Sequence, residues 1–424
     1  MREGSSGSFG TPSLAALATG GMVGGGIYVA LGVVVEAAGR WAWLSFVLAG
    51  AVATAVAWCY GALSNHFQVG GGSFAFLEKM DRRGAAGSLS WVLVVAYMLT
   101  IGLYAFAFGE YTAHAFDLGP PIPRLLSIVV LAALIGLDLL GAGKLKRVEI
   151  TIVTANLVVL VVLAAIGMAD WRPDRLVIDG GPLSPWAAWL GAAAIFVSFE
   201  GFQLLTYEYD EIRRPTRILT PGLAGSALAV VAIYAVVAVG ATMILGADTA
   251  VERATVALSV AAEEAAGTGG LVAMTVAAMF ATSAAINSTL FSTAQLARRV
   301  SDDGELPAWF DHRNDHDVPD RAVVAFGVGA GALALTGSLA ALVEAASLAF
   351  LAAFGAVAVI AWRERALPRW VPGFAVVLGA AIGAVLVVRL ATSKPVALGA
   401  MLAMFAAAFV LRPKLLERVP TEDP

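Results

Sequence analysis

Apolar runs of about twenty residues recur along this chain from Ser13 to Arg412, and each is long enough to cross a bilayer as a helix. The runs are continuous and rich in Ala, Leu and Val, whereas a membrane β-barrel is built from short segments of alternating polarity. Only 14% of the residues are charged, against roughly 25% in a soluble protein. The sequence therefore predicts an all-α, multi-pass integral membrane protein surrounded by membrane lipid.

The apolar runs divide into twelve predicted membrane helices. Residues 321–362 are too long for one crossing, and "LTGSL" at 335–339 offers a turn between two of them. The predicted helices are 13–36, 43–65, 85–116, 122–141, 147–168, 187–211, 220–246, 270–300, 321–337, 339–362, 370–390 and 395–412.

The charges predict which way the chain crosses the membrane. With the N-terminus in the cytoplasm, most of the 27 Lys and Arg residues fall on the inner side, as they do in membrane proteins generally. We therefore expect the cytoplasmic membrane as the location, a flexible cytoplasmic N-terminus over 1–12 and a cytoplasmic tail over 413–424. The sequence indicates no oligomeric state.

A run of glycines interrupts the first apolar segment, with Gly24, Gly25 and Gly26 consecutive at its middle. Glycine is a poor helix former, so the helix is expected either to break here or to press against a neighbouring helix. Gly20/Gly24 and Gly21/Gly25 have the spacing of such close packing. In lipid, a broken helix is tolerated only where its backbone is buried or lines a cavity.

The segment 187–211 carries a second interruption, at Ser198, Glu200 and Gly201. A carboxylate in the middle of a membrane helix costs about 2.5–3.5 kcal/mol on insertion scales, so it usually has a function. Interrupted helices at matching positions in two halves indicate a transporter's binding site. The interruptions fall in the first and sixth predicted helices, so the pattern repeats after five helices. Because five is an odd number, the second half starts from the opposite side of the membrane. This predicts two inverted five-helix repeats, 13–168 and 187–362.

Several motifs resemble those of amino acid–polyamine–organocation (APC) transporters, in the same order along the chain. "VGGGIY" at 23–28 is similar to the first-helix signature of that family, and "FVSFEGF…YDEIRRPTR" at 196–217 is similar to its sixth-helix signature. The eighth helix, "ATSAAINSTLFSTAQLARRVSDDGELP", and the glycine-serine loop at 70–74 also match. The resemblance implies the leucine-transporter-type fold, in which helices 1 and 6 are discontinuous and two C-terminal helices, here 370–412, follow the two repeats.

The two interruptions define the candidate substrate site. Amide groups freed at the glycines are expected to bind a substrate carboxylate, carbonyls of 196–199 an ammonium group, and the rings of Phe199 and Phe202 are expected to close over the ligand. Glu200 has three interpretations: it pairs with a substrate cation, carries a coupling proton, or caps the second half-helix. The family commonly has an acidic residue three positions later, where this chain has Gln203. The candidate residues are Val23, Gly24, Gly25, Gly26, Ile27, Tyr104, Phe196, Ser198, Phe199, Glu200, Gly201 and Phe202.

The resemblance also implies a coupling-ion site between the first, fifth and eighth helices. Asn156 occupies the position where some members carry a lysine, so a lysine-based proton site is not expected. Hard cations prefer oxygen ligands, which leaves a sodium site as the alternative, although Ser and Thr hydroxyls in membrane helices also bond to neighbouring helices. The candidates are Gly20, Val23, Asn156, Thr282 and Ser283.

Other residues indicate additional charged groups or exclude other kinds of site. Glu208, Asp210 and Glu211 are expected to form either a cytoplasmic gate or a solvated helix end. The single cysteine, Cys59, excludes an intramolecular disulfide, and His312 and His316 have helical zinc spacing but no third ligand. No cofactor beyond Na⁺ or H⁺ and no nucleic-acid partner is expected.

The sequence thus favours a secondary active transporter of amino acids or related amines that works by alternating access and is driven by a cation gradient, Na⁺ or H⁺. An amino acid or amine exchanger is the alternative within transport, and a membrane-embedded enzyme or a channel is the alternative from another class. An enzyme is not expected, because all four His lie near membrane faces or in loops.

Overall fold

A computed structural model describes residues 10–80, 83–141, 146–395, 398–399, 401–403 and 406, and these residues form an all-helical protein. The tail 413–424, most of the predicted helix 395–412 and most of the N-terminal segment 1–12 lie outside the described residues. The α-helices are α1 (Thr11–Val23), α2 (Gly26–Ala38), α3 (Ala42–Phe67), α4 (Gly72–Lys79), α5 (Arg83–Ala115), α6 (Ile122–Leu139), α7 (Lys146–Ala169), α8 (Ala187–Ala194), α9 (Pro215–Leu245), α10 (Ala247–Glu252), α11 (Ala257–Asp302), α12 (Asp320–Thr336), α13 (Leu339–Glu364) and α14 (Trp370–Ser393).

Each described apolar run forms helix at its predicted place. The predicted helices 43–65 and 85–116 are α3 and α5, and the stretch 321–362 divides at Gly337 into α12 and α13. The amphipathic region after α9 forms α10 and the start of α11, which is interrupted at Ala266 and Gly267 before the membrane-length part begins.

Eight helices of the described part are long and apolar enough to cross a membrane, or nine when one bent pair is counted as a span. The chain is therefore a multi-pass helical membrane protein. The predicted count of twelve and the inverted repeat stay predictions. Three features account for the difference: α2 and α3 form one continuous apolar stretch, Gly26–Phe67, α12 has only 17 residues, and most of the predicted helix 395–412 lies outside the described residues.

Both predicted interruptions are present. Gly24 and Gly25 separate α1 from α2, and Gly25 adopts φ −137° and ψ −22°. In the segment 187–211, α8 is followed by two 3₁₀ helices, Phe196–Phe199 and Phe202–Glu211, and the two parts of this span meet at 60°. We call 187–211 the bent span below.

The interrupted segments lie in the middle of the helix packing. α1 contacts α7, α9 and both 3₁₀ helices of the bent span, while α5 packs against α6, α11, α12 and α13. Val23, Ile27 and Phe199 are fully buried, so the two interruptions sit in the core rather than at the lipid surface.

Candidate substrate site

The backbones of the two interrupted segments touch at two levels. The carbonyl oxygen of Gly201 would lie 3.0 Å from a Cβ built on Gly21, and a Cβ on Gly26 would overlap the carbonyl oxygen of Ser198. Gly201 itself has φ +123°, a conformation that only glycine adopts readily. Glycine at these positions therefore allows main chain to meet main chain without intervening side chains.

Tyr234 of α9 connects the two interruptions. Its hydroxyl lies 2.7 Å from the carbonyl oxygen of Met22 and 3.1 Å from that of Ser198. Because the end of a helix leaves carbonyls without partners in the helix, this buried hydroxyl supplies a donor that the broken segments lack. Sequence reasoning missed this residue, since a tyrosine inside an apolar run carries no distinguishing signal.

The glycines of the first segment also pack closely, as the alternative interpretation expected. A Cβ on Gly20 would collide with Val153 of α7, one on Gly24 would lie 2.8 Å from Cβ of Ala285, and one on Gly25 would collide with the ring of Tyr104. The glycine run thus both breaks the helix and admits three neighbouring helices.

Glu200 lies directly beside this junction and is only 1% exposed. Its carboxylate is 3.4 Å from the hydroxyl of Tyr104 and accepts a hydrogen bond of 2.9 Å from Nε2 of Gln203. The two partners are neutral. The carboxylate therefore receives side-chain donors. Capping was one of three interpretations of Glu200, but the backbone N–H of Gly201 donates instead to Oε1 of Gln203, at 2.9 Å.

A line of hydroxyl groups continues from Gln203 along the second half of the bent span. Nε2 of Gln203 is 3.4 Å from the hydroxyl of Tyr97, which is 3.4 Å from that of Tyr207. Tyr97 and Tyr104 lie two turns apart on the same face of α5. This helix therefore contributes both tyrosines next to Glu200 and Gln203.

The loop before α4 closes the far end of this line. The N–H of Gly71 donates to the carbonyl of Thr206 at 3.2 Å, and Nη1 of Arg299 donates to the carbonyl of Gly70 at 2.9 Å. Asp210 and Glu211, expected to form either a gate or a solvated helix end, are exposed at the C-terminal end of the bent span. Arg299 and the glycine loop pack near the same end.

The aromatic residues of the bent span pack against other aromatic side chains. The ring of Phe199 lies 5.4 Å from that of Tyr234, and the ring of Phe202 lies 5.3 Å from that of Phe354. Phe196 also packs on Phe354, at 5.9 Å. In this conformation the rings form the core around the junction.

Ser347 of α13 was not identified from the sequence and holds the first half of the bent span. Its hydroxyl accepts from the N–H of Val197 at 3.0 Å and donates to the carbonyl of Ala194 at 2.7 Å. It thereby satisfies groups on both sides of the point where α8 ends. The hydroxyl of Ser198, by contrast, is buried and has no hydrogen-bond partner among the described residues.

The predicted ion site falls where α1, α7 and α11 meet. A cavity of about 10 Å³ there is lined by Gly20, Gly24, Asn156 and Ser288, among others, and this is about the volume that one water needs. Val23, Thr282 and Ser283 are not part of its lining. The hydroxyl of Thr282 donates to the carbonyl of Ala278 at 2.7 Å, a bond within its own helix, and the side chain of Asn156 accepts from Tyr28.

The remaining polar motif makes a local contact. Nδ1 of His312 lies 2.7 Å from Asp320, and the described residues contain no group of three His, Cys, Asp or Glu placed to bind a metal ion.

Comparisons with known proteins agree with the motifs. A family model described as amino acid permease matches residues 9–412. The chain is 26% identical over 320 residues to the inner membrane transport protein YbaT of Escherichia coli, covering 72% of each chain. It is 27% identical over 386 residues to the vacuolar cationic amino acid transporter 4 of Arabidopsis thaliana, covering 84% of this chain and 62% of that one.

A third relative carries no assigned activity. It is an uncharacterized protein of Methanocaldococcus jannaschii, 28% identical over 302 residues, which are 70% of this chain and 69% of that protein. Because the family model covers nearly the whole chain, the chain belongs to the amino acid permease family of the APC superfamily, whose members are transporters and not enzymes.

Proposed function

We propose that this protein is a secondary active transporter that moves amino acids or related amines by alternating access, driven by a cation gradient. One observation carries the proposal: two interrupted helices meet main chain to main chain at Gly21–Gly201 and Gly26–Ser198, with the buried Glu200 beside the contact. Discontinuous helices that meet in this way form the substrate sites of many transporters.

The main chain at the junction offers both signs of partial charge. The first N–H groups of α2 have no acceptor within that helix and carry the positive end of its dipole, which suits a carboxylate. The carbonyls of Phe196–Phe199 end a helical segment and suit an ammonium group. A small zwitterion fits this pair, with Val23, Gly24, Gly25, Gly26 and Ile27 on one side and Ser198, Gly201 and Phe202 on the other.

We further propose that the substrate carries a positive side chain. The supporting observation is that Glu200 is buried while its two hydrogen-bond partners, Tyr104 and Gln203, are neutral. A buried carboxylate without a cation is costly, and a cationic substrate would compensate it. The relative named cationic amino acid transporter 4 is in keeping with this choice.

Uptake of labelled arginine and leucine into liposomes that contain the purified protein tests both proposals. We expect accumulation of arginine against its gradient, and we expect Glu200→Gln to reduce arginine uptake at least tenfold. Glu263→Gln, a change at an exposed carboxylate, serves as the control. If Glu200→Gln takes up both arginine and leucine as fast as the unmodified protein does, the proposed role of Glu200 is refuted. If the unmodified protein does not accumulate arginine, active transport is refuted.

For the coupling ion we propose Na⁺ at the cavity between α1, α7 and α11, where carbonyls of the glycine run and the side chain of Asn156 supply oxygen. Replacing external Na⁺ by choline at fixed pH should then abolish uptake. Uptake that continues without Na⁺ but collapses when a proton gradient is dissipated would assign coupling to H⁺. Uptake that requires only unlabelled substrate inside the liposome would identify an exchanger.

We propose the cytoplasmic membrane as the location, with both termini inside, because that orientation places most of the Lys and Arg residues in the cytoplasm. The first two helices of each predicted repeat would rock against the remaining helices about the junction. A reporter that is active only in the cytoplasm, fused to either end, should be active at both ends, and activity at one end alone would exclude this topology.

A further inference from the structure

A second cavity lies at the opposite end of the helices from the glycine loop at 70–71. Its volume is about 780 Å³, within the range of roughly 300–1,000 Å³ for small-molecule sites. It is formed by the C-terminal ends of α2 and α14, by α8 and by the start of α13. Its residues come from the ends of the helices that the charge pattern places outside the cytoplasm.

The wall on the lipid side of this cavity is apolar and exposed. Leu190 of α8 and Val388 of α14 line it and are 37% and 62% exposed, and Ala384 lies one turn below Val388 on the same face. Side chains of this kind at the rim of a membrane protein contact acyl chains. The cavity therefore opens where hydrocarbon and the headgroup region meet.

The inner wall of the cavity carries two cations on one carboxylate. Glu344 is fully buried; Nζ of Lys394 lies 3.0 Å from its Oε2 and Nη2 of Arg389 lies 3.2 Å from its Oε1. The three groups together carry a net positive charge. A guanidinium has five N–H donors and an ammonium has three, so one carboxylate leaves donors on both for a further acceptor.

A second carboxylate, Glu36 at the end of α2, lines the same cavity and is exposed. It differs in this from Glu344, whose Oε1 is buried and lies 3.2 Å from Nη2 of Arg389. A ligand that fits the cavity therefore carries an anionic acceptor for the two cations and a cationic donor for the carboxylate of Glu36.

We propose that this cavity binds a phospholipid with an ethanolamine headgroup. The phosphate would accept hydrogen bonds from Arg389 and Lys394, the ammonium would donate to the exposed carboxylate of Glu36, and an acyl chain would lie along Leu190, Ala384 and Val388. Phosphatidylcholine has the same phosphate but no N–H donor, so this assignment requires the protein to distinguish between the two lipids.

Native mass spectrometry of the delipidated, full-length protein tests the assignment. Phosphatidylethanolamine and phosphatidylcholine with identical acyl chains are titrated separately. We expect phosphatidylethanolamine to bind at least fivefold more tightly than phosphatidylcholine. Lys394→Gln should weaken the binding of phosphatidylethanolamine about fivefold, which is the effect of one basic residue near an anionic lipid group, here the phosphate. Glu344 keeps Arg389 in that variant, which favours folding.

A second variant separates the acyl chain from the headgroup. Ala384→Trp fills the exposed apolar wall without touching any charge, and we expect it to weaken phosphatidylethanolamine binding at least fivefold. Arg253→Gln, which removes an exposed cation at the same end of the protein but outside the cavity, should bind as the unmodified protein does.

Three results would overturn the proposal. The first is equal binding of the two lipids, and the second is unchanged binding in Lys394→Gln and Ala384→Trp. The third is complete competition by water-soluble glycerophosphoethanolamine at the concentration of the lipid, which would make the site one for free zwitterions. The proposed transport function does not depend on the outcome, because the cavity is separate from the junction of the interrupted helices.

Discussion

Gly21 and Gly201 lie in direct backbone contact: a Cβ on Gly201 would overlap the carbonyl carbon of Gly21. The contact joins α1 to the bent span at the level of the buried Glu200. It leaves no room for a side chain on either segment, so the distance between the two interruptions is set by main-chain atoms.

We expect Gly201→Ala to disrupt this contact. An alanine at φ +123° is strained by about 1–3 kcal/mol, and its methyl group would also push α1 away. The apparent melting temperature of the purified protein should fall and uptake should be lost. Gly225→Ala is the matched control, because nothing lies within 4 Å of a Cβ at that position in α9. Equal melting temperatures for the two variants would contradict the contact.

Tyr234→Phe should separate the effect of one hydroxyl from that of its ring. The ring keeps its packing against Phe46 and Phe199, while the carbonyls of Met22 and Ser198 lose their donor. We expect a loss of about 1–3 kcal/mol in stability and a clear loss of uptake. Tyr111→Phe, which removes a buried hydroxyl that bonds to the carbonyl of Tyr28 and to the backbone of Leu258 but not to the bent span, should leave uptake nearly unchanged. Similar uptake by both variants would argue against a special role for Tyr234.

Ser347→Ala should destabilise the bent span near the point where α8 ends. The change leaves the N–H of Val197 and the carbonyl of Ala194 without the hydroxyl that serves both, at a cost of about 1–3 kcal/mol. Hydrogen exchange should accelerate over 194–199 in this variant. Ser347→Thr retains the hydroxyl, so protection that is equally low in both variants would show that the hydroxyl is not the cause.

Arg299→Ala should loosen the packing of the glycine loop on the second half of the bent span. Its bond to the carbonyl of Gly70 holds the loop whose next residue, Gly71, donates to Thr206. With the only cysteine replaced in Cys59→Ala, a Thr206→Cys side chain reports access from water. We expect Arg299→Ala to raise its rate of modification by a hydrophilic maleimide at least threefold.

Arg298→Ala is the neighbouring control for this experiment, since Arg298 pairs with Asp302 on its own helix. The rate of modification should not change in that variant. An equal increase in both variants would mean that general loosening of α11, and not the bond to the loop, exposes Thr206.

The positions of the helices followed directly from the sequence because continuous apolar runs dominate it. Both interruptions were predicted as well, since three successive glycines and a carboxylate next to Gly201 are unfavourable inside a membrane helix. The number of membrane crossings could not be derived from the sequence in the same way. A helix broken into two halves of 13 residues reads as one crossing in the sequence and as two short helices in the structure.

The contacts around the junction could not be predicted in the same way. Tyr234 and Ser347 are distant in sequence from the groups they bond, and one hydroxyl in an apolar run resembles any other. The direction of the Phe199 and Phe202 side chains could not be predicted either, because two 3₁₀ helices joined by the extended Glu200 and by Gly201 at positive φ follow no single helical period. Gln203 was noted only as a departure from the family pattern, while the structure gives it the cap of Gly201.

The hydroxyl of Tyr234 has a consequence for selectivity. The single hydroxyl hydrogen of Tyr234 is shared between the carbonyl oxygens of Met22 and Ser198, so α1 and the bent span cannot separate without lengthening at least one of these contacts. If the protein transports as proposed, we expect these two segments to move as one unit, with a constant spacing between them while the entrances open and close. A constant spacing would fix the fit to the backbone of an amino acid substrate and leave variation among substrates to the side chain.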